Sequence, residues 1–106
     1  MKKRLKKKLG IWFDYKECWD LDYYAARWLL PRLKHLRNHL HSYPEHGGIT
    51  SCEEWAAILD EIIYAMTYEA NKWDLRFKIT PEESERVTRG CRLLGEWFRD
   101  LWDEMA

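Results

Sequence analysis

Apolar residues recur at three- and four-residue steps along three long segments of the chain, and no segment alternates apolar and polar residues over a useful length. Steps of three and four place residues on one face of an α-helix, whereas alternation would indicate a strand. The pattern therefore predicts an all-α fold, a three- or four-helix bundle. Its long helices are expected at residues 21–41, at residues 51–73 and from residue 81 towards the C terminus.

The first long helix contains a proline within its apolar stripe. The stripe consists of Leu21, Ala25, Trp28, Leu29, Leu33, Leu36 and Leu40. Pro31 has no backbone N–H to donate, and its ring clashes with the preceding helical turn. We therefore expect a kink, or a break into two helices, near residues 27–31.

The second and third helices begin at recognisable capping signals. Thr50 and Glu53 form a T-x-x-E capping box, and Thr80 is followed by proline and two glutamates. The second helix is expected to bury Trp55, Ile58, Leu59, Ile62, Met66, Ala70 and Trp73. The third carries a heptad-like seam of Val87, Cys91, Leu94, Phe98, Leu101 and Met105. Leu93, Trp97 and Trp102 widen this seam, so the helix has two apolar sides and an oligomer is expected.

The length of 106 residues predicts one domain, with a basic arm at residues 1–10 and a helical domain at residues 11–106. The net charge of zero hides an asymmetry. Residues 1–42 carry a net charge of +7, and residues 43–106 carry −7. Opposite charges in the two halves favour head-to-tail self-association.

No apolar run approaches the roughly 18 residues of a membrane span, so no membrane segment is expected. Cys18, Cys52 and Cys91 are odd in number and far apart, and they form neither a CxxC pair nor a disulfide framework. Free thiols of this kind are typical of a reducing cytoplasm.

The residues give little support to catalysis. Glu82 and Glu85 have the spacing of a magnesium-binding pair, as do Asp100 and Asp103, but the pairs lie roughly 22 Å apart along one predicted helix. His35 and His39 are four residues apart without the acid of a zinc-hydrolase motif, and no nucleophile or phosphate-binding loop motif is present. We therefore expect no enzymatic activity, no cofactor and no metal, with a zinc site at His35, His39 and His46 as the weaker alternative.

A basic and aromatic surface on the first helix is the main candidate for ligand binding. Arg27, Arg32 and His35 offer hydrogen-bond donors to phosphates, and Trp28 or Tyr43 offers a face on which a base can stack. These residues predict a site for an anionic, nucleotide-type ligand. The alternative is that the basic residues pair with carboxylates of the acidic second half.

The sequence leaves two further kinds of partner open, a protein and a nucleic acid. Trp97 and Trp102 would be exposed anchors of a protein-interaction surface if the last helix is apolar on two sides. The basic residues of the N-terminal arm would instead bind nucleic acid. They are Lys2, Lys3, Arg4, Lys6, Lys7 and Lys8.

Four runs of residues resemble a widespread group of small phage and prophage proteins. The runs are residues 19–23 (WDLDY), 26–33 (ARWLLPRL), 54–63 (EWAAILDEII) and 89–102 (RGCRLLGEWFRDLW). The resemblance implies a phage origin and a site of action in the cytoplasm of a host bacterium, and it implies no catalytic residues. The resulting expectation is a non-enzymatic phage accessory protein, a counter-defence factor that sequesters a nucleotide-type signal.

Overall fold

The computed structural model describes residues 2, 4–5, 13–74 and 78–103, and within these ranges the protein is all-helical. The helices are α1 (Lys16–Trp19), α2 (Leu21–Asn38), α3 (Cys52–Asn71) and α4 (Pro81–Trp97), and a 3₁₀ turn, Phe98–Asp100, follows α4. Helix α3 is central, because α2 and α4 both pack against it. This confirms the all-α class. Of the predicted basic arm, only Lys2, Arg4 and Leu5 lie within the described residues.

Helix α2 is one helix that runs through Pro31, so it does not break in two, and it ends three residues before the predicted boundary. Pro31 lies on the exposed side, where water can bond to the carbonyl that loses its helical donor. The kink remains a prediction.

The buried stripe of α2 is rotated from the predicted one. Ala26 and Leu33 are buried, whereas Leu21 and Trp28 are 61% and 60% exposed. Leu29, Leu30, Leu36 and Leu40 pack half-buried against the core. The prediction that Leu21, Ala25 and Trp28 face inward was wrong. Adjacent apolar residues let a sequence fit two stripes, and packing on α3 selects between them.

The N-terminus of α3 is capped one residue later than predicted. Ser51 is the N-cap, and its Oγ accepts a hydrogen bond of 3.1 Å from the backbone N–H of Glu54. The Glu54 carboxylate in turn accepts from the N–H and the hydroxyl of Thr50, both at 3.0 Å. The Thr50–Glu53 box was therefore wrong by one position, because the neighbouring Ser51 and Glu54 have the same spacing.

The N-terminus of α4 confirms its predicted signal. Thr80 is the N-cap, Pro81 is the first helical residue, and Thr80 and Glu83 form a reciprocal capping box. The hydroxyl oxygen of Thr80 accepts from the Glu83 N–H at 3.2 Å, and the Glu83 carboxylate accepts from the Thr80 N–H at 3.1 Å. Two backbone donors at the start of α4 are satisfied in this way.

This capping box makes part of the stability dependent on pH. The hydrogen bonds from Thr80 hold the pKa of Glu83 below its usual value of 4.5. A carboxyl group with a lowered pKa stabilises the fold above its unfolded pKa, and that contribution is lost as the pH falls through the folded pKa. Between about pH 6 and about pH 3, we expect the thermal midpoint to fall more in the natural protein than in Glu83→Gln. Circular dichroism measures both midpoints, and equal decreases would contradict the assignment.

The core is built around the inner face of α3. Trp55, Leu59 and Ile62 are fully buried, and Ala65 and Met66 continue the same face. Trp73, which was expected to belong to this face, is 63% exposed. It lies beyond the end of α3 and donates its indole N–H to Asp20 at 2.6 Å.

Helix α4 faces the core differently from the predicted seam. Val87, Gly90 and Trp97 are buried, whereas Cys91 and Phe98 are exposed. The α-helix ends at Trp97, so Phe98 and Leu101 do not continue a helical stripe, and Met105 lies outside the described residues. The predicted seam was therefore wrong at Cys91 and Phe98.

Carboxylates and basic residues link the helices at the surface. Arg37 of α2 forms a two-pronged ion pair with Asp60 of α3, at 2.8 and 3.2 Å. Arg86 of α4 pairs in the same way with Glu61 of α3, at 2.8 and 3.3 Å. None of the helices that the structure describes is both long enough and apolar enough to cross a membrane.

Candidate ligand-binding groove

A groove of about 490 Å³ lies between α2 and the segment that follows α4. One wall comes from α2, and the other consists of Leu101, Trp102 and Asp103. The residues that α2 contributes are Trp28, Leu29, Arg32, Leu33, His35 and Leu36. Trp28, Arg32 and His35 are separated by four and three residues, so the helical repeat places them along one edge.

The second wall of the groove is held in place by local hydrogen bonds and by one that joins residues 62 positions apart. The N–H groups of Leu101 and Trp102 bond to carbonyls within the 3₁₀ turn, at 3.4 and 2.9 Å. Asp103 is buried, and its carboxylate accepts a hydrogen bond of 2.6 Å from the backbone N–H of His41. The His41 imidazole lies 3.6 Å from the other carboxylate oxygen. Through Asp103, the segment after α4 is therefore hydrogen-bonded to the chain just beyond the end of α2.

The loop that follows α2 supports this wall from the opposite side. His46 Nε2 lies 2.8 Å from an Asp100 oxygen, and the His46 ring stacks on Trp97 with centroids 5.2 Å apart. Gly47 has a φ of +67°, and a Cβ there would lie 2.6 Å from the Trp97 ring. Only glycine satisfies both the backbone angle and the close approach.

The edge of the groove carries a stacked cation. The Arg32 guanidinium lies 4.0 Å from the centroid of the Trp28 ring, and its Nη1 donates to the Trp28 carbonyl at 2.7 Å. His35 stacks with His39 at 4.2 Å between ring centroids. Within the part of the chain that the structure describes, no carboxylate forms an ion pair with Arg32. Its charge is therefore available to a ligand.

The structure brings three of the five predicted ligand-binding residues together and separates the other two. Trp28, Arg32 and His35 line the groove. Arg27 lies elsewhere, with its guanidinium 5.3 Å from the Tyr23 ring centroid and bonded to the Tyr23 hydroxyl at 2.9 Å. Tyr43 lines a separate cavity, to which Trp102 also contributes. The alternative, pairing of basic residues with the acidic half, holds for Arg37, which pairs with Asp60. Among the described carboxylates, none pairs with Arg27 or Arg32.

The two predicted tryptophan anchors have different environments. Trp102 is 61% exposed and lines the groove. Trp97 is only 4% exposed and meets Trp55 edge to face, with centroids 5.5 Å apart. The expectation that Trp97 is an exposed anchor was therefore wrong: the α-helix ends at this residue, with its side chain in the core.

Sequence reasoning did not place Trp102, Leu101 or Asp103 in the ligand site. Their presence there depends on the chain leaving the helix after Trp97, which the continuing apolar repeat concealed. Among the residues that the structure describes, no three or more metal-binding side chains are grouped to hold an ion. Lys2 and Arg4 of the basic arm are exposed, and Lys3, Lys6, Lys7 and Lys8 lie outside the described residues.

Comparison of the chain with protein-family models, with curated proteins and with solved structures found no match. The geometry of the groove and the chemistry of its lining are therefore the basis for assigning a function.

Proposed function

We propose that this chain is a non-enzymatic binding protein that holds a small nucleotide-type ligand in the groove between α2 and residues 101–103. The proposal is carried by one observation. Trp28, Arg32 and His35 lie along one edge of a single groove, and Trp102 lies in the facing wall.

The walls of the groove suit a planar base. Trp28 and Trp102 are 60% and 61% exposed. Arg32 covers one face of the Trp28 ring, and the remaining exposed indole surface is where a base can stack. Stacking a base on an aromatic side chain is worth about 1–3 kcal/mol. Leu29 and Leu36 add apolar surface to the lining of the groove, and this surface excludes water from the stacked base.

The charge of the groove limits how many phosphates the ligand carries. Arg32 supplies one permanent cation and His35 supplies further hydrogen-bonding capacity, whereas the facing wall includes the carboxylate of Asp103. Because Arg27 lies outside the groove, the charge available is smaller than the sequence suggested. We therefore assign the site to a nucleoside monophosphate or a cyclic nucleotide rather than to a triphosphate.

The resemblance to phage proteins gives this proposal a biological setting. A phage protein that binds a nucleotide signal without converting it would sequester that signal in the host cytoplasm and act as a counter-defence factor. The opposite charges of the two halves of the chain support assembly of such a protein as a homo-oligomer.

Native mass spectrometry of the full chain, purified from bacterial cells at low salt, tests the proposal. We expect an additional mass of a few hundred daltons per bound ligand, which identifies the nucleotide class. The double variant Trp28→Ala/Arg32→Ala should lose this mass because it removes both the stacking face and the cation.

The matched control is Trp19→Ala/Arg92→Ala. Both residues are exposed and neither lines the groove. This variant should retain the additional mass, and circular dichroism should show equal helicity in all three proteins. An additional mass that persists in the groove variant would contradict the proposal.

The apolar lining also supports a second candidate function, docking of a protein partner. Leu29, Leu36 and Leu101 line the groove together with the two exposed indoles, and such surfaces accept an apolar anchor side chain. A host protein that co-purifies with the natural chain but not with Trp102→Ala would favour this function over nucleotide binding.

A further inference from the structure

A second cavity, of about 370 Å³, lies next to the groove and also has Trp102 in its lining. It is formed where the loop after α2 meets the 3₁₀ turn after α4. Its lining consists of Ser42, Tyr43, Pro44, Glu45, His46, Asp100 and Trp102. Of the described residues, Trp102 alone lines both the cavity and the groove, so the cavity can be tested separately.

The chemistry of this cavity is opposite to that of the groove. Two carboxylates, Glu45 and Asp100, line it together with the aromatic rings of Tyr43 and Trp102. Among the residues that the structure describes, neither an arginine nor a lysine lines it. Aromatic faces attract cations through the negative face of the ring, and carboxylates accept hydrogen bonds from N–H donors.

The two carboxylates have different roles. Asp100 has a side chain that is 20% exposed, and one of its oxygens is held by His46 at 2.8 Å. Glu45 is exposed, and within the described ranges no basic side chain forms an ion pair with it. Glu45 is therefore available to an incoming cation, while Asp100 adds a second carboxylate to the lining.

The walls of the cavity are in place before a ligand binds. His46 is held between Asp100 and the face of buried Trp97, and Tyr43 packs against the core. A site whose side chains are already positioned loses little conformational entropy on binding.

We propose that this cavity binds a guanidinium or primary ammonium group, which stacks between Tyr43 and Trp102 and donates hydrogen bonds to Glu45. A flat guanidinium fits two aromatic faces and a carboxylate better than a quaternary ammonium does, because it has N–H donors in the plane of the group. The group belongs either to a free amine or to the side chain of a partner protein.

A nuclear magnetic resonance titration of the full chain, followed through its backbone and indole N–H signals, tests the proposal. Agmatine represents a free amine, and Nα-acetylarginine methylamide represents a partner's side chain. Nα-acetylcitrulline methylamide has nearly the same shape without the charge and serves as the control. We expect saturable shifts at His46 and at the Trp102 indole with one or both cations, and none with the citrulline compound.

Two variants and their controls separate this site from the groove. Glu45→Gln should weaken cation binding roughly three- to fivefold, and Trp102→Ala about three- to tenfold. Glu96→Gln removes an exposed carboxylate outside the cavity and should leave the affinity unchanged, as should Arg32→Ala.

Saturation by agmatine alone would assign the cavity to a free amine, and saturation by the arginine amide would assign it to a partner's side chain. Equal binding of the citrulline compound, or no saturation by either cation below about 10 mM, would overturn the proposal. Because Arg32→Ala affects only the groove, failure of nucleotide binding and failure of cation binding are distinguishable.

Discussion

Replacing Gly90 with alanine is expected to destabilise the fold by about 2–3 kcal/mol, although alanine is the better helix former. Gly90 lies where α4 crosses α3. A Cβ at this position would be 2.5 Å from the Ala65 Cβ and 2.5 Å from the Glu61 carbonyl oxygen. Both atoms belong to residues of α3, so the two helices must move apart to admit one methyl group.

Gly95 provides a matched control on the same helix. A Cβ at Gly95 meets no atom within 4 Å, so Gly95→Ala should gain up to about 1 kcal/mol from helix propensity. Denaturant unfolding followed by circular dichroism gives both free energies of unfolding. The close approach of α4 to α3 would be contradicted if both substitutions were stabilising.

Replacing Trp55 with alanine is expected to cost about 3–5 kcal/mol, a large part of the 5–15 kcal/mol that stabilises a typical domain. Trp55 is fully buried on α3 and meets the ring of Trp97 edge to face. Its removal leaves a cavity between the central helix and the end of α4. We expect the loss to extend to the groove, because Trp97 also supports His46.

Two control variants distinguish the loss of core packing at Trp55 from the effect of removing an indole anywhere in the chain. Trp19 is 79% exposed, so Trp19→Ala should change the free energy of unfolding by less than about 0.5 kcal/mol. Among the described residues, Trp55 Nε1 has no hydrogen-bond partner. Trp55→Phe therefore keeps a ring in the core without an unsatisfied donor, and it should cost less than Trp55→Ala. Similar losses for Trp19→Ala and Trp55→Ala would contradict the assigned core.

The elements that the sequence predicted well are those set by local signals. The start of α4 depends on Thr80, Pro81 and Glu83, which lie within four residues of one another and satisfy backbone donors directly. The start of α3 was misplaced by one residue because Thr50 and Ser51 are both followed, three residues later, by a glutamate. Local chemistry alone does not distinguish the two positions.

The end of α4 was mispredicted because contacts distant in sequence determine it. The apolar repeat continues past Trp97, yet the chain turns and places Asp103 against the backbone of His41, 62 residues earlier. His46 and Asp100 make a second such contact, 54 residues apart. As a result, Trp102 does not continue a helical seam but contributes to the lining of two cavities.

The ligand-binding residues could have been chosen more narrowly from helix geometry. At about 100° per residue, Trp28, Arg32 and His35 fall within a sector of about 60° on α2, whereas Arg27 lies about 80° or more from each of them. Tyr43 lies beyond the end of α2, and helical spacing gives no information about its position. Tyr43 lines a different cavity from the groove, and the position of Trp102, which lines both, was not predicted from the sequence.

The most direct test of the proposed nucleotide site is a calorimetric titration of the full chain with adenosine and guanosine 5′-monophosphates and their cyclic forms. We expect one ligand to bind saturably with one site per chain. Its affinity should fall at least about tenfold in Arg32→Ala and in Trp28→Ala, and should be unchanged in Arg92→Ala and Trp19→Ala. The absence of binding by all four nucleotides, or equal affinity in the groove and control variants, would contradict the assignment of the groove as a nucleotide site.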